Sequence, residues 1–193
     1  MAATLLHLVV AGLREDLGDA EREELATLAR GLGSAEGVQA TFAACSLGEL
    51  ITATWLRTPD DLEAFASSPA HLRFVLEGVA RHGTGMWSAA ASVAAGPPAD
   101  PGAVAALWAF GLPGDAPAFE WQVRDLLTAI DALPGDSAAG PTTEERERFR
   151  AAGVVCVSRE QRNAFDAALA DARASWGELG ANLRDAVAPL LTS

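Results

Sequence analysis

The chain has 193 residues, half of them hydrophobic and 21% charged, which is enough for one large domain or two small ones with a buried core. Its net charge is −12, and 14 arginines are scattered among 26 acidic residues. This balance argues against nucleic acid and anionic membranes as partners, because both require a basic surface. Lysine and tyrosine are absent while alanine and glycine abound, a bias typical of GC-rich, actinobacterial-like genomes.

Neither the N-terminal stretch nor the two cysteines indicate export. The N-terminal stretch has no basic region and turns charged at Arg14, so we do not expect a signal peptide. The apolar stretch 89–95 is too short to span a bilayer. Cys45 and Cys156 lack the spacing of a disulfide framework or a metal site, so we expect reduced, mostly buried thiols. Together these features predict a cytoplasmic protein.

The first half of the chain has the pattern of alternating strands and helices. Four apolar runs have the composition of β-strands: residues 4–13, 37–47, 49–57 and 85–95. Leucines at helical spacing follow Asp19, and cap signals at Thr58 and Ser68 precede Pro59 and Pro69. These signals predict helices after the first and third strands. The order β-α-β-β-α-β is that of a ferredoxin-like unit.

A second, diverged copy of this unit follows a linker. Residues 96–102 contain three prolines and two glycines. After them, VAALWAFGL (104–112) aligns with LLHLVVAGL (5–13) at an offset of 99, and GVVCVS (153–158) aligns with ATWLRT (53–58) at an offset of 100. We therefore predict an internal repeat.

The remaining elements of the second copy are less regular. A helix is predicted over 119–133 from its leucine and isoleucine stripe. The counterpart of the second strand must lie within 136–152, as an edge strand or a short helix. The last strand is expected around 185–191, where Pro189 disfavours a central position in the sheet.

The repeat predicts how the two units pack. Both helices of one unit cover the same face of its sheet, and the other face must be buried against a second sheet. We therefore predict an α+β fold of tandem ferredoxin-like units that form an intramolecular, pseudo-dimeric α+β barrel. The expected units are 1–95, with the candidate site, and 103–193, joined by the linker 96–102. A further homodimer of the whole chain is possible.

Two stretches carry a resemblance to a known family. LLHLVVAGL and TWLRTPDDLEAFASSPAHLRFV resemble the first strand, third strand and second helix of the stress-responsive A/B barrel (Dabb) family, over roughly residues 4–94. The resemblance implies a dimeric α+β barrel. Polyketide cyclases of the olivetolic acid cyclase type belong to this family and close a linear polyketide by aldol condensation without a cofactor. Over 103–193 only the topology is similar.

The resemblance also implies roles for individual residues. The catalytic histidine of those cyclases falls on His71 and their first-strand histidine on His7. Their catalytic tyrosine falls on Phe65, so this chain lacks the hydroxyl that a copied mechanism needs. Ser68 replaces the first histidine of the family's signature. The related antibiotic-biosynthesis monooxygenases share the fold and use oxygen without a cofactor.

The residues themselves favour His71 as a base. If Ser68 caps the helix, His71 is its third residue, and the positive end of a helix favours a neutral imidazole, as a general base requires. The alternative is a helix-start histidine that bonds the backbone. His7 shares a strand face with Leu5 and Val9, and it is either a core histidine or a pocket residue that orients the substrate or His71.

Other candidate residues surround these histidines. Arg57 ends the third strand and could clamp a carboxylate or enolate, although such arginines are commonly solvated. Trp55, Phe65, Phe74 and Trp87 could wall a substrate cavity, or they could belong to the core.

Several kinds of site are not indicated. His82 lies in the polar turn ARHGTG and is predicted to be a loop residue. The three histidines lack metal-ligand spacing, and no nucleotide-binding or serine-hydrolase motif is present. The second copy has Asp171 and Ala106 where the first has His71 and His7, so a histidine site belongs to the first unit.

The resemblance and the residues together predict a cofactor-independent cyclase that acts on a small, apolar, carbonyl-rich molecule of specialised metabolism by aldol or Claisen-type carbon attack. A cofactorless monooxygenase on the same fold is the first alternative. A non-catalytic ligand-binding or stress-response protein is the second.

Overall fold

The computed structural model describes residues 4–143 and 149–190. The first unit contains four strands and four α-helical segments: β1 (Thr4–Leu13), α1 (Asp19–Gly31), β2 (Val38–Cys45), β3 (Glu49–Leu56), α2 (Asp61–Ser67), α3 (Pro69–Arg73), α4 (Ala80–His82) and β4 (Gly83–Val93). A π-helical segment, Phe74–Val79, joins α3 to α4, so Pro69–His82 is one continuous helical stretch. The predicted β-α-β-β-α-β order is confirmed.

The second unit repeats this order. Its elements are β5 (Val104–Pro113), α5 (Glu120–Asp131), β6 (Asp136–Pro141), β7 (Phe149–Ser158), α6 (Arg162–Ala181) and β8 (Arg184–Pro189). The counterpart of the second strand, predicted within 136–152 as an edge strand or a short helix, is the edge strand β6. Residues 144–148 of that range lie outside the described residues. No helix in the described ranges is both long and apolar enough to cross a bilayer.

Each unit folds into a four-stranded antiparallel sheet. The strand orders are β2-β3-β1-β4 and β6-β7-β5-β8, so corresponding strands occupy corresponding places. Pro189 lies in β8, at a sheet edge where the missing N–H of proline is tolerated. Single bridges join the edges of the two sheets, Ala44 to Leu190 and Ala91 to Thr142. The eight strands therefore close into the predicted α+β barrel.

The barrel interior is filled by side chains from both sheets, as the repeat predicted. The first sheet contributes bulky aromatic residues, Phe42, Trp55 and Trp87. The second sheet contributes Phe149, which packs against Trp87, and five alanines: Ala109, Ala138, Ala152, Ala186 and Ala188. Large and small side chains from the two sheets thus fill the barrel interior together.

The helices cover the outer faces of the sheets and form two further cores. In the second unit, Trp108 packs against the rings of Phe165 and Trp176, at centroid distances of 6.1 and 6.4 Å. The Trp108 indole donates a hydrogen bond of 2.6 Å to Asp185, which also pairs with Arg173. These groups fill the layer between helix and sheet in the second unit, where Ala106 replaces His7.

Candidate functional site

The helix that carries His71 begins as the sequence predicted. Ser68 has extended backbone angles, φ −65° and ψ 147°, and its hydroxyl accepts a hydrogen bond of 3.2 Å from the His71 amide. Pro69 occupies the first helical position, where its missing N–H costs nothing. His71 is therefore the third residue of the helix, at its positive end.

A backbone carbonyl selects one tautomer of His71. Nδ1 lies 3.0 Å from the carbonyl oxygen of Ala66 at the end of α2. Because a carbonyl only accepts, this contact requires the proton on Nδ1, and it leaves a lone pair on Nε2 of the neutral ring. Burial lowers the pKa of His71, and the bond to Ala66 opposes that effect. The ring is thus favoured in its neutral, Nδ1-protonated form.

His7 projects from β1 towards the same place. Its cross-strand partners are Thr54 on β3 and Ala90 on β4. The His7 ring lies 5.9 Å from the ring of His71 and 5.5 Å from that of Phe65, between centroids. Burial, with a smaller contribution from the charge of His71, lowers the pKa of His7 to about 4. His7 is therefore neutral at physiological pH.

The environment of His7 also favours one tautomer. Its Nδ1 is buried and has no hydrogen-bond partner in the part of the chain that the structure describes. A buried N–H without an acceptor is rarer in proteins than a buried acceptor without a donor. The proton is accordingly favoured on Nε2, which makes that nitrogen a hydrogen-bond donor.

An open cleft of about 740 Å³ lies against this cluster, between the start of α2 and the strands β1 and β4. It is lined by His7, Pro59, Asp60, Leu62, Glu63, Ala66, Ser88, Ala89 and Ala90. His71 is not among the lining residues, but it contacts two of them, His7 and Ala66. Phe65 packs against both histidine rings, at 4.9 Å from His71.

The predicted aromatic residues divide between two layers of the molecule. Phe65 and Phe74 are buried in the core between the helices and the sheet, the layer that contains His7. Trp55 and Trp87 point into the barrel, where Trp87 packs 5.0 Å from Phe149. The expectation that both tryptophans wall the cavity beside His7 is therefore wrong, because side chains alternate between the faces of a strand.

Arg57 is placed apart from the cluster. It follows the last residue of β3, its side chain is exposed, and its amide donates to the carbonyl of Gly37. It is not among the residues that line the cleft. A clamp from Arg57 onto a substrate therefore has no support in this geometry.

Three polar residues of the cleft were not predicted as site residues. Asp60 and Glu63 lie at the start of α2, where acidic residues commonly occur because they favour the positive end of a helix. Ser88 lies on β4, two residues before Ala90 and on the same strand face. Strand alternation from Ala90, the cross-strand neighbour of His7, was the one signal that could have found Ser88.

His82 differs from its prediction as a loop residue. It ends α4 and is fully buried, with its ring nitrogens 3.7 Å from Glu21 and 3.8 Å from Glu24 on α1. No group of three or more potential ligands that could hold a metal ion occurs within the described ranges. Cys45 and Cys156 are free thiols, half-buried and buried, and burial raises the pKa of Cys156 to about 12.

Comparison with known proteins identifies the fold. No family model and no curated protein matches the chain. A candidate monooxygenase from Fusobacterium nucleatum superimposes with a TM-score of 0.65 at 14% identity, over 99% of this chain and 94% of that one. An anthrone oxidase-like protein gives 0.62 at 12% identity, over 98% and 92%. A candidate monooxygenase from Lactobacillus acidophilus gives 0.54 at 12%, over 98% and 93%.

These similarities cover nearly the whole of each chain, so the tandem arrangement is shared and not only the single unit. At identities this low they show the fold alone. The chain is thus a tandem ferredoxin-like α+β barrel. The closer resemblance to polyketide cyclases of the Dabb family stays a prediction.

Proposed function

We propose that the chain is a cofactor-independent enzyme that removes a proton from carbon in a small, carbonyl-activated substrate bound in the cleft. The observation that carries this proposal is the meeting of two of the three histidines, His7 and His71, beside the cleft in neutral form. A proton α to a carbonyl is acidic enough for a neutral imidazole to remove when the resulting enolate is stabilised.

His71 is the general base in this proposal. Its Nδ1–H is held by Ala66, so Nε2 carries the lone pair that accepts the proton. The Ala66 carbonyl also stabilises the imidazolium that forms, because its oxygen accepts from the charged ring. The substrate must reach past the cleft wall between His7 and Ala66 to meet this nitrogen.

His7 is the donor to the enolate oxygen. A pKa of about 4 keeps the His7 ring neutral at physiological pH. The N–H of a neutral imidazole can polarise a carbonyl by donating a hydrogen bond to its oxygen. This role supplies the hydrogen bond that the family tyrosine would give and that Phe65 cannot. The imidazole of His7 would replace the missing hydroxyl from beside the Phe65 ring, which it contacts at 5.5 Å.

The carbanion has two candidate fates. Carbon attack on a second carbonyl of the same molecule gives a cyclase, which the histidine pattern of the sequence favours. Capture by dioxygen gives a monooxygenase, which is favoured by the three neighbours that match over nearly the whole chain, two candidate monooxygenases and an anthrone oxidase-like protein. Both fates begin with the same proton removal.

Anthrone tests the common step and the oxygen branch. Under nitrogen in D₂O, the protein should accelerate exchange of the methylene protons, followed by NMR. In air, oxygenation would convert anthrone and O₂ to anthraquinone and water, which an oxygen electrode and the quinone absorbance record. Exchange without oxygen uptake would favour the cyclase.

Substitution of His71 gives the decisive comparison. His71→Asn keeps an N–H for Ala66 but has no Nε2, so we expect exchange to slow by about 10²–10⁴-fold. His7→Gln keeps a terminal N–H and should retain more activity than His7→Leu. Asp171→Asn, at the corresponding position of the second unit, is the control and should be unaffected. An active His71→Asn protein would contradict the proposal.

A further inference from the structure

The charge of the cleft wall restricts what can enter it. Among the lining residues, Asp60 and Glu63 are carboxylates, His7 and Ser88 are neutral, and no residue is cationic. No hydrogen bond or ion pair joins the side chains of Asp60 and Glu63 to a residue in the described ranges. The two negative charges are therefore uncompensated at the place where a substrate binds.

We infer that Asp60 and Glu63 make the cleft selective against negatively charged molecules, so that its substrate arrives uncharged. This inference rests on the proposed function, since it concerns the substrate of the same site. Two carboxylates within several ångströms of a bound anion oppose its binding by on the order of tenfold, and the net charge of −12 adds to that repulsion.

The same charges place the reaction in a sequence of chemical steps. Hydrolysis of a carrier-bound thioester leaves a carboxylate on the released chain, and the carriers themselves bear phosphate. Both kinds of molecule are disfavoured by Asp60 and Glu63. The reaction that supplies this substrate is accordingly one that leaves no free carboxylate, such as a decarboxylation or a release by ring closure.

Two fluorescent dyes with the same ring system test the charge effect directly. N-phenyl-1-naphthylamine is neutral, and 1-anilinonaphthalene-8-sulfonate differs from it by one sulfonate. Fluorescence titration of the intact protein should show tighter binding of the neutral dye. In Asp60→Asn/Glu63→Gln, which keeps the shape of both side chains, affinity for the sulfonate should rise about tenfold while that for the neutral dye changes less than twofold.

A second pair of substitutions separates a local effect from the overall charge. Asp125 on α5 and Glu178 on α6 are exposed acids that do not line the cleft. Asp125→Asn/Glu178→Gln makes the same change in net charge and should alter sulfonate binding less than twofold. If this control pair raises sulfonate affinity as much as the cleft pair does, the inference is overturned.

The position of the dye is checked with Ala66→Trp, which places a large side chain in the cleft wall. This variant should weaken binding of the neutral dye at least tenfold, and unchanged binding would contradict the inference. Dye binding does not require His71 to act as a base. If His71→Asn is inactive but Asp60→Asn/Glu63→Gln does not change sulfonate binding, the proposed function stands and the charge inference is overturned. If His71→Asn is active and Asp60→Asn/Glu63→Gln does raise sulfonate affinity, only the selectivity stands.

Discussion

Burial of His7 makes its protonation part of the folding free energy. The pKa of this ring falls from 6.5 in the unfolded chain to about 4 in the folded protein. Between these values the unfolded chain binds the extra proton, so folding stability decreases as the pH falls. The penalty is absent above pH 6.5 and fully developed below pH 4.

We therefore expect His7→Leu to change the acid sensitivity of folding. Between pH 7.5 and 4.5 the native sequence should lose about 2 kcal/mol more unfolding free energy than the variant, because only the native sequence must keep a buried imidazole neutral. Urea denaturation of both proteins at the two pH values measures this difference. Equal losses in the two proteins would show that His7 titrates normally.

At the scale of single residues, the sequence predicted the positions of His7 and His71 better than the positions of the residues around them. The face of His7 and the helical position of His71 followed from alternation and from the Ser68 cap. The placement of Trp55 failed because its face relative to His7 depends on the pairing of β1 with β3, where His7 lies opposite Thr54. Register of this kind is set by turns and packing that a single strand does not reveal.

At the scale of elements, the helix that begins at Ser68 holds the candidate base. Removing the hydroxyl in Ser68→Ala should lower stability by about 1 kcal/mol, because the amide of His71 loses its acceptor. In a chain of this length that corresponds to a fall in Tm of about 2–4 °C, measurable by calorimetry.

Two further variants serve as controls for Ser68→Ala. Ser68→Asp also provides a cap acceptor and should stay near the native Tm. Ser67→Ala removes a neighbouring hydroxyl that bonds the carbonyl of Glu63 on an exposed helix, and it should be nearly neutral. A Tm for Ser68→Ala within 1 °C of the native value would mean that the cap contributes little to folding.

The elements themselves were largely predictable, since apolar runs, proline positions and caps are local signals. Two features depend on contacts between distant elements. The sequence around His82 predicts a polar turn, but His82 ends α4 and is buried against two glutamates of α1. β6 has no strong strand pattern and is held as a strand by pairing with β7.

At the scale of the whole molecule, closure of the barrel depends on a close approach of two edge strands. A Cβ added to Gly140 on β6 would lie 1.9 Å from the carbonyl oxygen of Ser92 on β4, and a backbone atom cannot easily move aside. Gly140→Ala should therefore destabilise the protein by about 3 kcal/mol.

The matched control for Gly140→Ala is Gly96→Ala in the linker, where an added Cβ meets no atom within 4 Å. Urea denaturation of both variants should show a large loss for Gly140→Ala and a small change for Gly96→Ala. Native stability of Gly140→Ala would imply that the two edges are not in contact in solution.

The overall architecture was predictable because the repeat is visible in the sequence and an uncovered sheet face needs a partner. The cleft was not, because its wall combines the start of α2 with two strands of the sheet. Only the assembled unit brings Pro59 and Asp60 beside His7 and Ser88.

The unequal interior of the barrel has a consequence for how the two halves recognise each other. The first sheet presents Trp55 and Trp87 to the interior, and the second presents Phe149 and five alanines. Two identical halves could not reproduce the native packing, in which Trp87 lies against Phe149. Exchange of halves between two molecules, in contrast, would restore the same pairing of unlike sheets.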